Sequence, residues 1–311
     1  MSAKVRDKIH KIGIDFSKNW QLFVLCVPAL VLYVLFNYIP MSGIIMAFKD
    51  FRLAKGIFGS EWNGLKNFEF LFHSTALWRI VRNTVGYSLL FMVVGNVVNI
   101  VVAFLAYEID NKKALKFYQG AMQIPRFMSW VIVGFITYAI LSPKYGVLNQ
   151  ILTLLGIMNV DVYSDAKYWP FILTFCEAWK GVGTGSLLYY AQLIGIDTEL
   201  FEAASVDGAK KWHKIWYIAI PHIVPLLILT IILNMGSIFS GDFGLFYQIP
   251  RNIGSLYETT DIINTYIYRG LESGSYAVTS AVGLCQSVVG LIMLVLTNWI
   301  VAKVSPENSL F

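Results

Sequence analysis

Six apolar stretches constrain the fold of this chain more than any other feature of its sequence. Each holds about 20 or more mostly apolar residues, the length that an α-helix needs to cross a lipid bilayer. They cover residues 20–48, 77–107, 121–141, 168–194, 216–240 and 276–302. We therefore expect an all-α membrane protein with six transmembrane helices, formed by one transmembrane domain over residues 1–311.

The composition agrees with this expectation. Of the 311 residues, 57% are hydrophobic and only 14% are charged, whereas soluble domains carry about 25% charged residues. No long polar stretch interrupts the apolar ones, so we expect no separate soluble domain. The net charge of +5 comes from basic residues that flank the apolar stretches. This placement favours the retention of cytoplasmic loops over nucleic-acid binding.

Residues 145–158 are a seventh apolar segment, but they are too short to cross a membrane. Asn149, Gln150 and Thr153 interrupt the segment. Its apolar residues fall on one helical face, which predicts a helix lying along the membrane surface. Six spans place both termini on the same side of the membrane.

The distribution of Lys and Arg predicts which side that is. Basic residues are concentrated in residues 1–19 and around residues 112–116, and positive charge is retained in the cytoplasm. We expect a cytoplasmic N-terminal segment over residues 1–19 and cytoplasmic termini. A polar segment at residues 197–215, between the fourth and fifth apolar stretches, then also lies inside.

That polar segment has the signals of a short helix. Asp197 can cap its N-terminus, and Glu202 suits the positive end of the helix dipole. Gly208 can end the helix in a left-handed conformation. Pro221 and Pro225 restrict the start of the next span. From the residues alone, the segment is either a docking surface for a cytoplasmic partner or an ordinary amphipathic loop helix.

The same residues resemble the EAA motif of ATP-binding-cassette (ABC) import permeases. The match comprises Glu202, Ala203, Ala204, Gly208, Ile218 and Pro221. Further agreement with carbohydrate-uptake permeases of the LplB-like type lies at 36–50, 78–84, 125–133, 141–155, 179–200 and 261–289. The resemblance implies the type I ABC importer permease fold and a coupling helix in residues 197–215. The coupling residues that it implies are Glu202, Ala203, Ala204, Asp207, Gly208 and Pro221.

The resemblance also implies the partners and the cargo. A permease of this type works in the bacterial plasma membrane with a second homologous permease, two ATP-binding subunits and an extracellular solute-binding lipoprotein. It imports sugars, oligosaccharides in particular, and meets membrane lipid but no nucleic acid. The external loops, residues 49–76 and 241–275, would receive the binding protein. Residues 241–256 are the part least typical of the family.

No G-x-x-x-x-G-K-[ST] phosphate loop occurs in the sequence, and such a loop is needed to cradle nucleotide phosphates in P-loop ATPases. We therefore expect a transport subunit rather than an enzyme, with ATP and Mg²⁺ held by partner subunits and no cofactor on this chain. Importers of peptides or amino acids, and an ion-coupled secondary transporter, are the alternatives.

Polar residues inside the apolar stretches are candidates for the solute path. Glu177 and Lys180 are three residues apart on one helix, a spacing that permits an ion pair with each other. They either neutralise one another where this helix packs against its neighbours, or they line a water-filled path. Trp179 either stacks on a sugar ring or packs, and the Asn and Tyr residues either bind sugar hydroxyls or tie helices together. The candidates are Asn83, Tyr87, Glu177, Trp179, Lys180 and Tyr190.

The cysteine, histidine and glycine residues predict no further chemistry. Cys26, Cys176 and Cys285 are far apart, and His73, His213 and His222 are isolated from them and from one another, so we expect no metal site. Gly181, Gly183 and Gly185 lie inside the fourth apolar stretch, where close helix packing explains them better than nucleotide binding.

Overall fold

The computed structural model describes residues 18–304, without the side chains of residues 70, 71 and 304. This part of the chain is built from helices and one small β-hairpin. The helices are α1 (Trp20–Tyr33), α2 (Gly56–Gly59), α3 (Lys66–His73), α4 (Thr75–Tyr107), α5 (Lys112–Phe127), α6 (Trp130–Leu141), α7 (Val147–Leu154), α8 (Trp169–Ile194), α9 (Thr198–Val206), α10 (Lys211–Lys214), α11 (Ile220–Gly236), α12 (Phe243–Gln248), α13 (Tyr257–Thr260), α14 (Ile263–Glu272) and α15 (Tyr276–Val304). The antiparallel strands are β1 (Lys49–Asp50) and β2 (Glu61–Trp62), paired Lys49 to Trp62 and Asp50 to Glu61.

Short π and 3₁₀ segments interrupt or extend the helices. They are the π turns Val34–Tyr38 and Ile215–Ala219 and the 3₁₀ segments Pro40–Phe48, Ala166–Tyr168 and Gly254–Leu256. Each π turn lies just before a proline, Pro40 or Pro221. Because proline has no N–H to donate, the helix lacks one backbone hydrogen bond at that position. A wider turn before the proline lets the helix continue past the missing bond.

Four described helices are long and apolar enough to cross a membrane, and five if the bent pair α5 and α6 counts as one. The four are Trp20–Phe48, Thr75–Tyr107, Lys211–Gly236 and Tyr276–Lys303. The fourth predicted span also forms a long helix, α8, with 26 residues. Its charged and small polar residues leave it outside that apolar set. More of its residues are buried by the rest of the protein than in the four apolar helices.

The third predicted span is not one helix, and the prediction of a continuous span at 121–141 is wrong. The chain breaks at Met128, which has an extended conformation, and α5 and α6 meet at 99°. Pro125 weakens the end of α5 because it lacks a backbone donor. Ser129 then caps α6 by accepting a hydrogen bond from the backbone N–H of Ile132, at 3.3 Å.

The short segment at 145–158 contains only the eight-residue helix α7. Gly156 follows it with a φ of +70°, a conformation that ends a helix and that glycine adopts without steric cost. Leu154 and Met158 are each 87% exposed. The prediction that this segment is too short to cross a membrane is confirmed, and its apolar side chains are left uncovered.

Helix α1 is exposed along its whole length. None of its residues is buried, and Leu25 is 75% exposed. An apolar helix without buried residues needs lipid or another protein around it. Its side chains therefore do not build the interior of this chain.

The interior is built around α8. Near its start, Trp169 and Leu173 are fully buried in a cluster that includes Phe246 of α12, and near its end Tyr189 and Leu193 form a second cluster with Ile223 of α11. A side chain at residue 183 would overlap the Met122 carbonyl of α5, and one at residue 185 would overlap the Asn99 amide of α4. The prediction of close helix packing is confirmed at Gly183 and Gly185 and is wrong at Gly181, where a side chain would meet no atom within 4 Å.

Candidate transport cavity and coupling surface

A cavity of about 300 Å³ lies among α4, α8, α11 and the segment that leads into α12. Its walls carry hydroxyl, amide and carboxyl groups beside aromatic rings. The lining residues are Thr84, Tyr87, Ser88, Phe91, Met92, Val94, Gly95, Asn96, Asn99, Thr174, Glu177, Ala178, Gly181, Asn234, Ser237, Ser240, Gly241, Asp242, Phe246 and Ile262. Polar groups and aromatic rings that converge on one cavity are typical of a small-molecule site.

One face of α8 supplies the cavity wall. Thr174, Glu177, Ala178 and Gly181 line it, and their spacing of i, i+3, i+4 and i+7 is that of a single helical face. The last two have small side chains, which leaves room beside the Glu177 carboxyl group. The sequence of α8 thus sets a polar and narrow stripe, and the packing of α8 aims it inward.

Asn96 ties three helices together at the cavity. Its side-chain amide donates to the Met92 carbonyl at 2.8 Å on its own helix. Its oxygen accepts from the hydroxyl groups of Tyr189 on α8, at 2.6 Å, and of Thr230 on α11, at 3.3 Å. The role of tying helices is therefore the one that this asparagine performs in the structure.

Tyr87 forms an aromatic wall with an unsatisfied hydroxyl group. Its ring lies 4.8 Å from that of Phe246 and 5.5 Å from that of Phe91. The residue is 7% exposed, and its hydroxyl oxygen is buried without a hydrogen-bond partner. A buried polar group without a partner is costly, so a polar group of a bound solute would be stabilised here.

Glu177 and Lys180 do not form the ion pair that their spacing allows. The Oε2 atom of Glu177 is buried at the cavity and has no hydrogen-bond partner. The Lys180 ammonium instead lies 4.1 Å from the centre of the Trp130 ring on α6. Trp130 in turn donates its indole N–H to Asp242 Oδ2, at 2.7 Å.

Asp242 is a cavity residue that the sequence did not single out as a site. Its Oδ1 atom accepts from the backbone N–H of Leu245 at 3.2 Å and so caps α12. The signal was available but ambiguous, since an acid directly after an apolar stretch also fits an external loop. Asn234 was likewise missed as a path candidate although it lines the cavity, and so does Asn99, one of the asparagines for which the sequence left sugar binding and helix tying open.

Four of the six predicted path residues lie elsewhere. Lys180 contacts Trp130 as described, and Trp179 lines a separate apolar groove between α4, α5 and α8. Tyr190 packs against the cluster around Tyr189. The structure thus brings together only Tyr87 and Glu177 of the original six at the cavity.

Asn83, the fourth, belongs to a polar cluster at the start of α4. Its amide donates to the backbone carbonyls of Glu258, at 3.1 Å, and Asp261, at 2.9 Å. Asp261 is fully buried and is bound by Arg79 at 2.9 Å and Arg269 at 2.6 Å. This cluster fastens α13 and α14 to α4.

The polar segment forms α9 with the predicted ends. Asp197 Oδ1 accepts from the Glu199 backbone N–H at 3.0 Å. At the other end, Gly208 has a φ of +78°, and the Ala209 N–H reaches back to the Ala204 carbonyl at 2.9 Å. This is a Schellman motif, with Asp207 as the C-cap. Both predicted end signals are confirmed.

One side of α9 is anchored and the other is free. Phe201 faces Tyr107 at the end of α4, with ring centres 6.4 Å apart. Glu202, Ala203, Asp207 and Gly208 are exposed and Ala204 is half-buried; Pro221, beyond the next π turn, is exposed as well. The helix is held in place while its motif residues remain open to a partner.

The residues after α9 continue this surface. Lys211 pairs with Glu108 at 2.6 Å, and the Lys214 ammonium donates to Ser205 Oγ at 2.5 Å. Val206 is 89% exposed and Trp212 68% exposed. Large apolar side chains left uncovered beside a polar helix are typical of a protein–protein contact.

Apolar helices around a polar cavity, with an exposed helix between two spans, define a helical membrane protein built for transport. Within residues 18–304, no three His, Cys, Asp or Glu side chains form a group that could hold a metal ion.

A protein family described as "Binding-protein-dependent transport system inner membrane component" matches residues 15–306. The chain belongs to this family. It is therefore a multi-pass membrane protein that serves as a transport subunit of an ABC importer, and not an enzyme.

Named relatives cover almost the whole chain. "Protein LplB" of Bacillus subtilis (strain 168) is 32% identical over 288 residues, which are 92% of this chain and 90% of LplB. The "Polygalacturonan/rhamnogalacturonan transport system permease protein YteP" of the same organism is 30% identical over 304 residues, 97% of this chain and 94% of YteP.

A solved structure shares the fold. A chain from a bacterial ABC transporter involved in the import of the acidic polysaccharide alginate superimposes with a TM-score of 0.85 and 30% identity, covering 95% of this chain and 99% of that one. The same kind of transporter in complex with an alginate pentasaccharide-bound periplasmic protein gives a TM-score of 0.83, also at 30% identity, over 94% of this chain and 97% of that one.

Proposed function

We propose that this chain is a permease subunit of an ATP-driven importer of sugars, oligosaccharides in particular. The observation that carries this proposal is the cavity among α4, α8 and α11, where hydroxyl, amide and carboxyl groups alternate with the rings of Tyr87, Phe91 and Phe246. Sugars offer hydroxyl groups for such polar partners and C–H faces for aromatic rings. Relatives with polysaccharide transport in their names support a carbohydrate cargo.

The solute path would run through this cavity. Tyr87 and Glu177 are the predicted residues that we keep for it, and Asn99, Asn234 and Asp242 join them because they line the same space. Asn83, Trp179, Lys180 and Tyr190 would then support the helices around the path rather than contact the solute.

The coupling surface would be the exposed side of α9 and the residues that follow it. Glu202, Ala203, Ala204, Asp207, Gly208 and Pro221 are the proposed coupling residues, in a cytoplasmic region over residues 197–215. An ATPase subunit that docks there would move α4 as well, because Phe201 and Lys211 contact the end of α4 through Tyr107 and Glu108. ATP and Mg²⁺ would be held by two such subunits.

Six spans would be formed by the four long apolar helices, the bent pair α5 and α6, and α8. With this count, residues 1–19 and the C-terminus lie on the same side as α9. The length of α4 supports the arrangement: its 33 residues span about 50 Å. It contacts Asp261 near its start and α9 near its end, so these two regions lie on opposite sides of the membrane.

Two further partners complete the importer. Helix α1, whose side chains are exposed, would pack against a second, homologous permease. An extracellular solute-binding protein would dock at the end of the bundle formed by α12 to α14 and the β1–β2 hairpin. A relative solved together with a periplasmic protein supports that arrangement.

Reconstitution of the complete importer in proteoliposomes tests the proposal. We expect ATP-dependent uptake of labelled oligosaccharides, and loss of uptake and of ATPase association in Glu202→Lys. The matched control is Glu69→Lys, a change at an exposed glutamate on α3, just before the start of α4, and this variant should co-purify with the ATPase as well as the wild type does. Uptake of peptides or amino acids in place of sugars would refute the sugar assignment, and undiminished ATPase binding by Glu202→Lys would refute the coupling surface.

A further inference from the structure

The charged groups of the cavity all have the same sign. Glu177 and Asp242 line it, and none of its lining residues is a lysine, an arginine or a histidine. Lys180, one turn along α8 from Glu177, directs its ammonium over the Trp130 ring instead. Arg126, near the end of α5, does not line the cavity. The lining of the cavity therefore contains two acids and no cation, while Lys180 and Arg126 lie near Glu177 but outside that lining.

The two acids differ in how much of their hydrogen-bonding capacity is used. Asp242 accepts from the Trp130 indole at 2.7 Å and from the Leu245 backbone N–H at 3.2 Å. Glu177 Oε2 is buried without a partner. A solute hydroxyl can donate to this oxygen, and the unsatisfied Tyr87 hydroxyl can donate to a solute oxygen.

We propose that the cavity selects neutral oligosaccharides and rejects uronates, with Glu177 and Asp242 as the residues that set this preference. A uronate carboxylate placed here would face two acids in the lining and would lose its hydration without a cation in contact with it. A neutral sugar ring supplies the donors that both acids can accept. This inference rests on the proposed sugar function and goes beyond it, since the solved relative belongs to an importer of an acidic polysaccharide.

Binding of two matched probes to the purified importer complex, without its solute-binding protein, tests this preference. The probes are trigalacturonate and its methyl ester, which share one sugar backbone and differ in charge. We expect the wild type to bind the neutral ester at least about tenfold more tightly than the acid. Glu177→Gln, which breaks no hydrogen bond at Oε2, should reduce this ratio several-fold. Asp242→Asn should also reduce the ratio, since it removes the second acid of the lining. Asparagine can still cap α12, so the helix should keep its start.

Glu272→Gln is the control, because this exposed glutamate on α14 lies outside the cavity. The ratio should stay at the wild-type value in this variant. If trigalacturonate binds as tightly as its ester, the charge preference is refuted while the sugar function stands. If neither probe binds and no oligosaccharide is transported, the sugar function fails and takes the charge preference with it.

A second measurement needs no cargo. The native cysteines are first replaced by alanine. Ser237→Cys, at a cavity residue, should then react faster with a cationic thiosulfonate reagent than with an anionic one. We expect the rate ratio to exceed that at an exposed Ser273→Cys control by about fivefold. Adding Glu177→Gln and Asp242→Asn should lower it toward the control. An equal ratio at both cysteines would overturn the inference.

Discussion

The two ends of α4 are held in opposite ways. Near its start, Arg79 and Arg269 clamp the fully buried Asp261, and Thr84 accepts the Ile263 backbone N–H at 3.0 Å. Near its end, no residue of α9 is buried. The Phe201 ring packs on Tyr107, and beyond α9 Lys211 forms a surface ion pair with Glu108.

This difference separates a rigid end from an adaptable one. A buried carboxylate with two guanidinium partners resists movement because losing either partner leaves an uncompensated charge. An exposed helix with a defined start and end keeps its shape and can still move with a docked subunit. The structure thus places stiffness at the Asp261 end and adaptability at the α9 end.

Asp261→Ala should abolish this difference with the largest effect. Arg79 and Arg269 would lose their common partner, and breaking a buried charge network costs about 3–5 kcal/mol. The melting temperature of the detergent-solubilised protein should fall strongly. Asp50→Ala is the control, since its pair with Arg52 is exposed on both sides and is worth at most about 1 kcal/mol. Equal effects of the two changes would show that the Asp261 cluster adds no stiffness.

Gly183→Ala should lower the stability of the helix bundle by an intermediate amount. Its added methyl group would meet the Met122 carbonyl of α5, and overpacking of a tight contact costs about 1–3 kcal/mol. Gly86→Ala is the matched control on α4, where a methyl group would meet no atom within 4 Å. Thermal unfolding of both variants measures the cost. A smaller loss for Gly183→Ala than for Gly86→Ala would contradict the close packing of α8 on α5.

Breaking the Lys211–Glu108 pair should have the smallest effect. Both side chains are largely exposed, at 66% and 48%, and such pairs contribute about 0–1 kcal/mol because water and salt screen them. A double-mutant cycle with Lys211→Ala and Glu108→Ala, read by thermal unfolding, measures the coupling. A coupling energy above about 2 kcal/mol would mean that the α9 end is held as firmly as the Asp261 end.

Local signals in the sequence predicted α9 and its surroundings well. Asp197 caps the helix, Gly208 ends it, and the segments on either side form long helices. These features depend on residues within a few positions of one another, so the sequence contains nearly all of their cause. The continuous third span failed because Pro125 and Ser129 override a long apolar run.

The solute path could be predicted only in part. Glu177 and Trp179 are two residues apart, about 200° around a helix of 3.6 residues per turn. They therefore face opposite directions, Glu177 to the cavity and Trp179 to an apolar groove. The sequence shows that both residues belong to α8, but it does not show which direction meets the cavity.

The sequence by itself determined the helical membrane class, the family and the shape of α9. Length, apolarity and capping act over short stretches of chain, and the EAA spacing is a local pattern. The tertiary structure alone decided that Lys180 turns to Trp130, that Asp242 joins Glu177 at one cavity, and that Asp261 locks the far end of α4. These outcomes depend on contacts between residues about 50 to 180 positions apart, where the rotation and approach of whole helices set which side chains meet.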